Sequence, residues 1–157
     1  MVYNMKVIQA VWGDIPDHVQ RCMDETCKVY PEVEVYHFPK CDRPLYESDK
    51  WRWDMMLKND NILYIDWDLF PLARFTFSDS VEMVYLNGQP DNCLIYSPSQ
   101  KIFWAYEDER IKRGIAFETH GWFRKVLRDK TIGIIPEETY KHLRTSGYSE
   151  LKKQYLF

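Results

Sequence analysis

Along the first half of the chain, short apolar runs take turns with stretches whose apolar positions recur every three to four residues. Residues 5–11 (MKVIQAV) read as a first buried strand. Asp14 and Pro16 then open a helix reaching about residue 29, with Val19, Met23 and Cys27 near one face. Residues 33–38 (VEVYHF) alternate as a second strand and stop before Pro39. Ser48 is the expected N-cap of a helix over residues 49–58. There Trp51 and Met55, then Trp53 and Leu57, share faces at i, i+4. Residues 62–66 form the third strand. Short strands over 82–86 and 93–96 follow, then a helix from about 99 to 113. A further helix starts at Thr119 with Trp122, Phe123, Val126 and Leu127 as its apolar side, and a strand over 131–135 precedes Pro136. The order β-α-β-α-β followed by mixed strands predicts an α/β sandwich around a mostly parallel sheet. In such sheets ligands bind outside the carboxyl ends of the strands.

One strand ends in chemistry. Residues 62–72 (ILYIDWDLFPL) run from four apolar positions straight into Asp66 and Asp68. An unpaired carboxylate inside a strand costs several kcal/mol, so both acids belong where the strand emerges. At i and i+2 on an extended chain they point the same way, about 7 Å apart at the backbone. Two hard oxygen ligands on one side of a strand end make a site for Mg²⁺ or Mn²⁺ with positions left for a phosphate. A polar turn after a core strand is the plainer alternative for a bare Asp-x-Asp.

Composition narrows the field. The 157 residues suit a single domain with a sizeable core. Aromatic content of 16%, with six Trp and eleven Tyr, fits either a ligand cleft or an aromatic core. A net charge of −3 with mixed signs argues against nucleic-acid binding. The four cysteines, Cys22, Cys27, Cys41 and Cys93, show no zinc spacing and read as reduced thiols. Residues 1–6 lack an apolar signal core, and no run of about 18 apolar residues occurs, so no transmembrane segment and a cytoplasmic location are expected.

Other residues become informative in combination. Asp49 and Arg52 lie one helical turn apart and share a face; alone, such a pair is a solvated contact. Trp12, ending the first strand ahead of Gly13, can stack on a flat base or fill the core. Asp91 and Asn92 open a later strand, where a turn would serve as well.

As an ordered set, Val7-Ile-Gln-Ala-Val-Trp12-Gly13, Pro31-Glu32-Val33-Glu34-Val35, Ser48-Asp49-x-x-Arg52 and Leu63-Tyr64-Ile-Asp66-x-Asp68 resemble the Asp-x-Asp sugar transferases of glycosyltransferase family 32. These are the capsular-polysaccharide and initiating mannosyltransferase type. The sugar-transferring domains of large clostridial toxins look like distant relatives. The resemblance covers residues 5 to about 136 and is most specific over 48–72. It implies a GT-A-like α/β/α sandwich around a mostly parallel mixed sheet. It also implies a single minimal nucleotide-sugar-binding domain over 1–157, and a transfer with retention from a nucleotide-diphosphate sugar, UDP- or GDP-linked. By the same resemblance Trp12 stacks on the base, and Asp49 with Arg52 holds the donor sugar. Asp66 contacts ribose and Mn²⁺ or Mg²⁺, Asp68 binds the metal, and Tyr64 supports the strand. Asn92 matches an asparagine near the reacting sugar.

The chain departs from the family in three places. Asn59-Asp60-Asn61 stands where Gly-Gly usually precedes the Asp-x-Asp strand, and Asn and Asp tolerate positive φ. Trp67 replaces a small middle residue, a bulk expected to restrict the pocket. Family members usually finish with a His and a Ser-Trp that complete the metal site. His142 and Ser146-Gly147-Tyr148 are the substitutes here, with His120 as a second candidate. Double displacement and same-face attack both stay open, since no carboxylate nucleophile stands out beyond Asp49 and Asp91. The expected function is metal-dependent glycosyl transfer to a saccharide or protein acceptor. The alternative is a module that binds a nucleotide sugar or a partner without transfer. A metal-dependent phosphohydrolase ranks last, because it calls for more clustered ligands than four scattered histidines offer.

Overall fold

The computed structural model describes residues 4–143. Its elements follow in the order β1 (Lys6–Trp12), α1 (Asp17–Val29), β2 (Glu34–Phe38), α2 (Pro44–Lys58), β3 (Ile62–Ile65), β4 (Leu69–Pro71), β5 (Glu82–Leu86), β6 (Gln89–Ser97), α3 (Gln100–Lys112), α4 (Trp122–Leu127), β7 (Gly133–Ile134) and β8 (Tyr140–His142). Six strands form one sheet in the order β2-β1-β3-β6-β5-β7, and β4 pairs with β8 apart from it. β1, β2 and β3 are mutually parallel, and β6 runs antiparallel to both β3 and β5. This is the expected α/β sandwich on a mostly parallel mixed sheet.

The period-two alternation of the strands sorts the core into two faces. Ile8, Ile62, Tyr64, Met83 and Ile95 pack on one side with Trp53 and Met56 of α2, Phe103 of α3 and Trp122 of α4. Val7, Leu63, Ile65, Val84 and Leu94 pack on the other with Tyr30, Leu69 and Tyr140. Val11 continues that second face onto Val19 and Met23 of α1. Among the described residues, no helix is long and apolar enough to cross a membrane.

Several boundaries differ from those expected. α2 begins at Pro44, a full turn before Ser48, because proline presets helical φ and needs no amide partner at the first position. Ser48 is consequently buried inside the helix rather than capping it. α4 begins at Trp122 rather than Thr119, since Gly121 at φ 68 interrupts any helix before it. β6 extends back to Gln89 through a two-residue hairpin, Asn87-Gly88, with φ of 55 and 75. The turn expected to survive at Asn59-Asp60-Asn61 does so with Asn61 at φ 50.

Candidate functional site

Three separate stretches of chain meet at one edge of the sheet. β3 delivers Asp66 at its carboxyl end. α2 returns from β2 to the start of the parallel β3, so its first turns, carrying Ser48, Asp49 and Arg52, lie at that same edge. β6 runs the opposite way, which brings its early residues there too: Ile65 pairs with Leu94, and the Asp66 amide donates to the Cys93 carbonyl at 2.8 Å. The β5–β6 register then passes directly from Met83↔Ile95 to Val84↔Asp91, leaving Asn92 to Leu94 without partners on β5. This bulge aims Asn92 at α2.

Arg52 is the hub. It is 6% exposed, and its fork donates to the Asn92 carbonyl at 2.9 Å, to Ser48 Oγ at 2.5 Å and to Asp66 Oδ1 at 3.4 Å. Its guanidinium carbon sits 4.2 Å from the Tyr64 ring centroid. Asp49 Oδ1 lies 3.7 Å from the guanidinium and accepts from Asn92 Nδ2 at 2.8 Å. The Tyr64 hydroxyl donates to Asp66 Oδ1. Asp49, Arg52, Tyr64, Asp66 and Asn92 therefore form one connected network.

The charges respond to this packing. Burial raises the Asp49 pKa above the ordinary carboxylate range, against the opposing effects of Arg52 and Asn92. Burial also pushes the Tyr64 phenol well above its usual value, so it stays a donor to Asp66. For Arg52, burial works against the charge, but Tyr64, Asp66 and Asp49 outweigh it and hold the guanidinium more basic than usual.

The Asp-x-Asp segment is not extended. The Leu69 amide donates to the Asp66 carbonyl at 3.2 Å, closing a turn over Trp67 and Asp68. The two carboxylates thus do not share a strand face: Asp66 turns to Arg52 and Tyr64, while Asp68 is 2% exposed and meets β8. Leu69 pairs with His142, and the Leu143 amide donates to the Asp68 carbonyl at 3.0 Å. This pairing sets His142 Nε2 3.6 Å from Asp68 Oδ1, with His142 also 2% exposed. Among the described residues no three His, Cys, Asp or Glu side chains converge as a metal-binding group. Trp67, expected to restrict the pocket, packs instead against Val19 and Met23 of α1 and against Phe70 and Leu143.

Trp12 stands apart from this network. It stacks on Phe38 at 4.7 Å and meets Trp51 edge-on at 6.2 Å, and Trp51 in turn meets Tyr64 edge-on at 6.1 Å. A hollow of about 370 Å³ lined by Gly13, Asp14, His37 and Lys40 adjoins it at the carboxyl ends of β1 and β2. His120 is exposed and lies away from Asp68, in the wall of a larger cleft of about 750 Å³. That cleft reaches Asp49 and Asn92 but neither Asp66 nor Asp68. Ser146, Gly147 and Tyr148 fall outside the described residues. Two contributors were not anticipated from the sequence: Ser48 as a buried acceptor for Arg52, and the cleft walls at 42–46 and 117–124. The i, i+4 spacing of Ser48 and Arg52 carries a signal for the first.

No protein-family model and no curated protein matches the chain. Among solved structures, the apo form of the glycosyltransferase GlyE from Streptococcus pneumoniae TIGR4 aligns with a TM-score of 0.58 at 10% identity, over 98% of this chain and 50% of that one. A second structure of GlyE gives 0.53 at the same identity and coverage. A glycosyltransferase involved in the glycosylation of the major capsid of PBCV-1 aligns with a TM-score of 0.52 at 8% identity, over 98% of this chain and 99% of that one. The chain thus spans half the length of GlyE and nearly all of the PBCV-1 enzyme. At such identities the likeness is one of fold, and the fold is that of GT-A-type glycosyltransferases.

Proposed function

We propose that the chain is a metal-dependent glycosyltransferase of the family 32 type, moving a hexose from a UDP- or GDP-sugar to an acceptor hydroxyl with retention. The observation that carries this reading is the network of Asp49, Arg52, Tyr64, Asp66 and Asn92, assembled from three segments at the carboxyl edge of a GT-A-type sheet. A buried carboxylate beside an imidazole supports the metal part of this reading. The Asp68 carboxylate is a hard donor suited to Mn²⁺ or Mg²⁺, the His142 imidazole 3.6 Å from it is a borderline donor that Mn²⁺ accepts more readily than Mg²⁺, and Asp66 lies just across the turn. Bound there, the ion would supply Lewis-acid neutralisation of the diphosphate leaving group.

The chain's own residues do the rest. Trp12, backed by Phe38, is the platform for the base. Tyr64 and Arg52 fix the Asp66 carboxylate toward ribose and metal, while Asp49 and Asn92 hold the donor's hydroxyls. The acceptor oxygen bonds to the anomeric carbon as the bond to the diphosphate breaks. The diphosphate leaves with the electron pair and takes the acceptor's hydroxyl proton.

The test is turnover of UDP-glucose and GDP-mannose with and without Mn²⁺, in the parent and in Asp68→Ala. Mn²⁺-dependent release of sugar from one donor is expected, with a loss on the order of a thousandfold in the variant. Unchanged turnover by folded Asp68→Ala would refute the metal assignment. Mn²⁺-dependent donor binding without sugar release, even with acceptor mixtures, would leave a binding module.

A further inference from the structure

The cleft of about 750 Å³ lies within the size range of small-molecule sites, roughly 300–1,000 Å³. It opens beside Asp49 and Asn92, and its far wall is the segment 117–124, held by Trp122 and Phe123 packed on Trp53. We propose that this cleft is the acceptor subsite and that it takes the end of an uncharged saccharide, an inference that rests on the transferase reading above.

Position comes first. The cleft shares Asp49 and Asn92 with the donor network and excludes Asp66 and Asp68. A sugar held at Asp49 therefore sits at its rim, with the diphosphate outside and the rest of the cleft facing the reacting carbon. Charge comes second. Carboxylates of Asp42, Asp49, Asp91 and Glu118 line it against two guanidiniums. Arg124 pairs with Asp91 at 3.1 Å, Asp49 lies 3.7 Å from Arg52, and Arg43 lies 4.5 Å over the Tyr46 ring, so the excess negative charge rests with Asp42 and Glu118. A phosphate or uronate on the acceptor would meet like charge, whereas sugar hydroxyls donate to carboxylates. Surface comes third. Tyr46 and Phe117 line the cleft and offer apolar area for the C–H faces of a pyranose. Trp122 is 3% exposed, and its indole N–H finds no acceptor among the described residues. A buried donor left without a partner costs about 1–3 kcal/mol.

The test uses the ¹⁵N-labelled chain loaded with Mn²⁺ and UDP or GDP. Methyl glucoside, methyl mannoside and cellobiose are titrated against glucuronate as the anionic counterpart. At least one uncharged sugar is expected to shift the amides of residues 42–46 and 117–122 and to bind about tenfold more tightly than glucuronate. With that sugar as acceptor, Tyr46→Ala and the exposed change Glu118→Lys each raise the acceptor KM about tenfold, the donor KM serving as reference. Glu118→Lys keeps the test valid should Tyr46→Ala not fold. Shifts elsewhere, a preference for glucuronate, or an unchanged acceptor KM in both variants would overturn the proposal while a Mn²⁺-dependent donor response leaves the transferase reading standing. If neither nucleotide perturbs any amide, both fall together.

Discussion

Replacing Arg52 by alanine removes the cation that joins all three segments of the site. Its side chain is 7% exposed, and its partners Asp66 and Asp49 are 17% and 33% exposed. Deleting one member of a buried pair costs about 3–5 kcal/mol, because the carboxylate left behind keeps its desolvation penalty. Two facts pull this toward the lower end: the ion-pair distances are loose at 3.4 and 3.7 Å, and Asp49 is partly screened by solvent. The neutral acceptors left behind, the Asn92 carbonyl and Ser48 Oγ, push it back up by about 1 kcal/mol. A net loss of about 3–4 kcal/mol follows, a large share of the roughly 5–15 kcal/mol that holds a domain folded. At about 2–4 °C per kcal/mol for this size, the melting temperature falls by roughly 6–16 °C. Arg52→Lys keeps the charge but not the fork, so one ammonium cannot serve Ser48, Asn92 and Asp66 together, and about half the loss is expected. Thermal melts followed by circular dichroism, backed by urea unfolding, read both variants. An Arg52→Ala midpoint within about 2 °C of the parent would show that the network does not couple α2 to β3 and β6.

The raised Asp49 pKa has a definite sign. Burial lifts its folded pKa above the ordinary aspartate value, so the stability it contributes is full below that ordinary value and lost as pH rises through the folded pKa. Asp49→Asn should therefore flatten that part of the urea-midpoint profile, and a profile superimposable on the parent's would contradict the assignment. Thiol labelling at neutral pH should find Cys27, which is exposed, well before Cys22, whose burial pushes its pKa up to about 11. Mass spectrometry of iodoacetamide-treated native protein showing equal labelling of the two would refute the placement of α1. Trp53 is fully buried, meets Phe103, Trp122 and Phe123 edge-on, and donates to Glu107 at 2.7 Å. Trp53→Ala should cost about 3–5 kcal/mol in denaturant unfolding, and a loss below about 1 kcal/mol would mean that α2, α3 and α4 do not share one core.

Elements with a clean period were legible from residues alone. Residues 5–11 and 62–66 run apolar because β1 and β3 are buried on both faces, and α1 carries a clear amphipathic period. Elements that owe their form to distant partners were not legible. β4 and β8 are three residues each and exist because they pair with one another across the chain. Nothing local to 69–71 or 140–142 encodes that pairing. α2 was misplaced at its start because Ser48 is both a good N-cap type and a good acceptor for Arg52 one turn on, and the buried guanidinium wins. The Asn87-Gly88 hairpin, by contrast, carries a strong local signal in its two residues.

The site was legible in composition and not in geometry, for a physical reason. An extended backbone would set Asp66 and Asp68 on one face, yet the chain bends between them, closing a turn over Trp67. The turn at 66–69 sends Asp66 to the Arg52 side and Asp68 to the β8 side, so each acid finds a buried partner of its own. The bulge in β6 does the same for Asn92, diverting it from the β5 register to meet Asp49. Regular strands would have left all three side chains competing for one face of the sheet, with two like charges unrelieved. Local rules fail where two irregularities let the carboxyl end of β3 and the start of β6 hold acidic, amide and guanidinium groups at once. The same logic explains why Arg52, rather than either acid, is the residue whose loss the fold should feel most: the turn and the bulge are each held by a hydrogen bond that ends on its guanidinium.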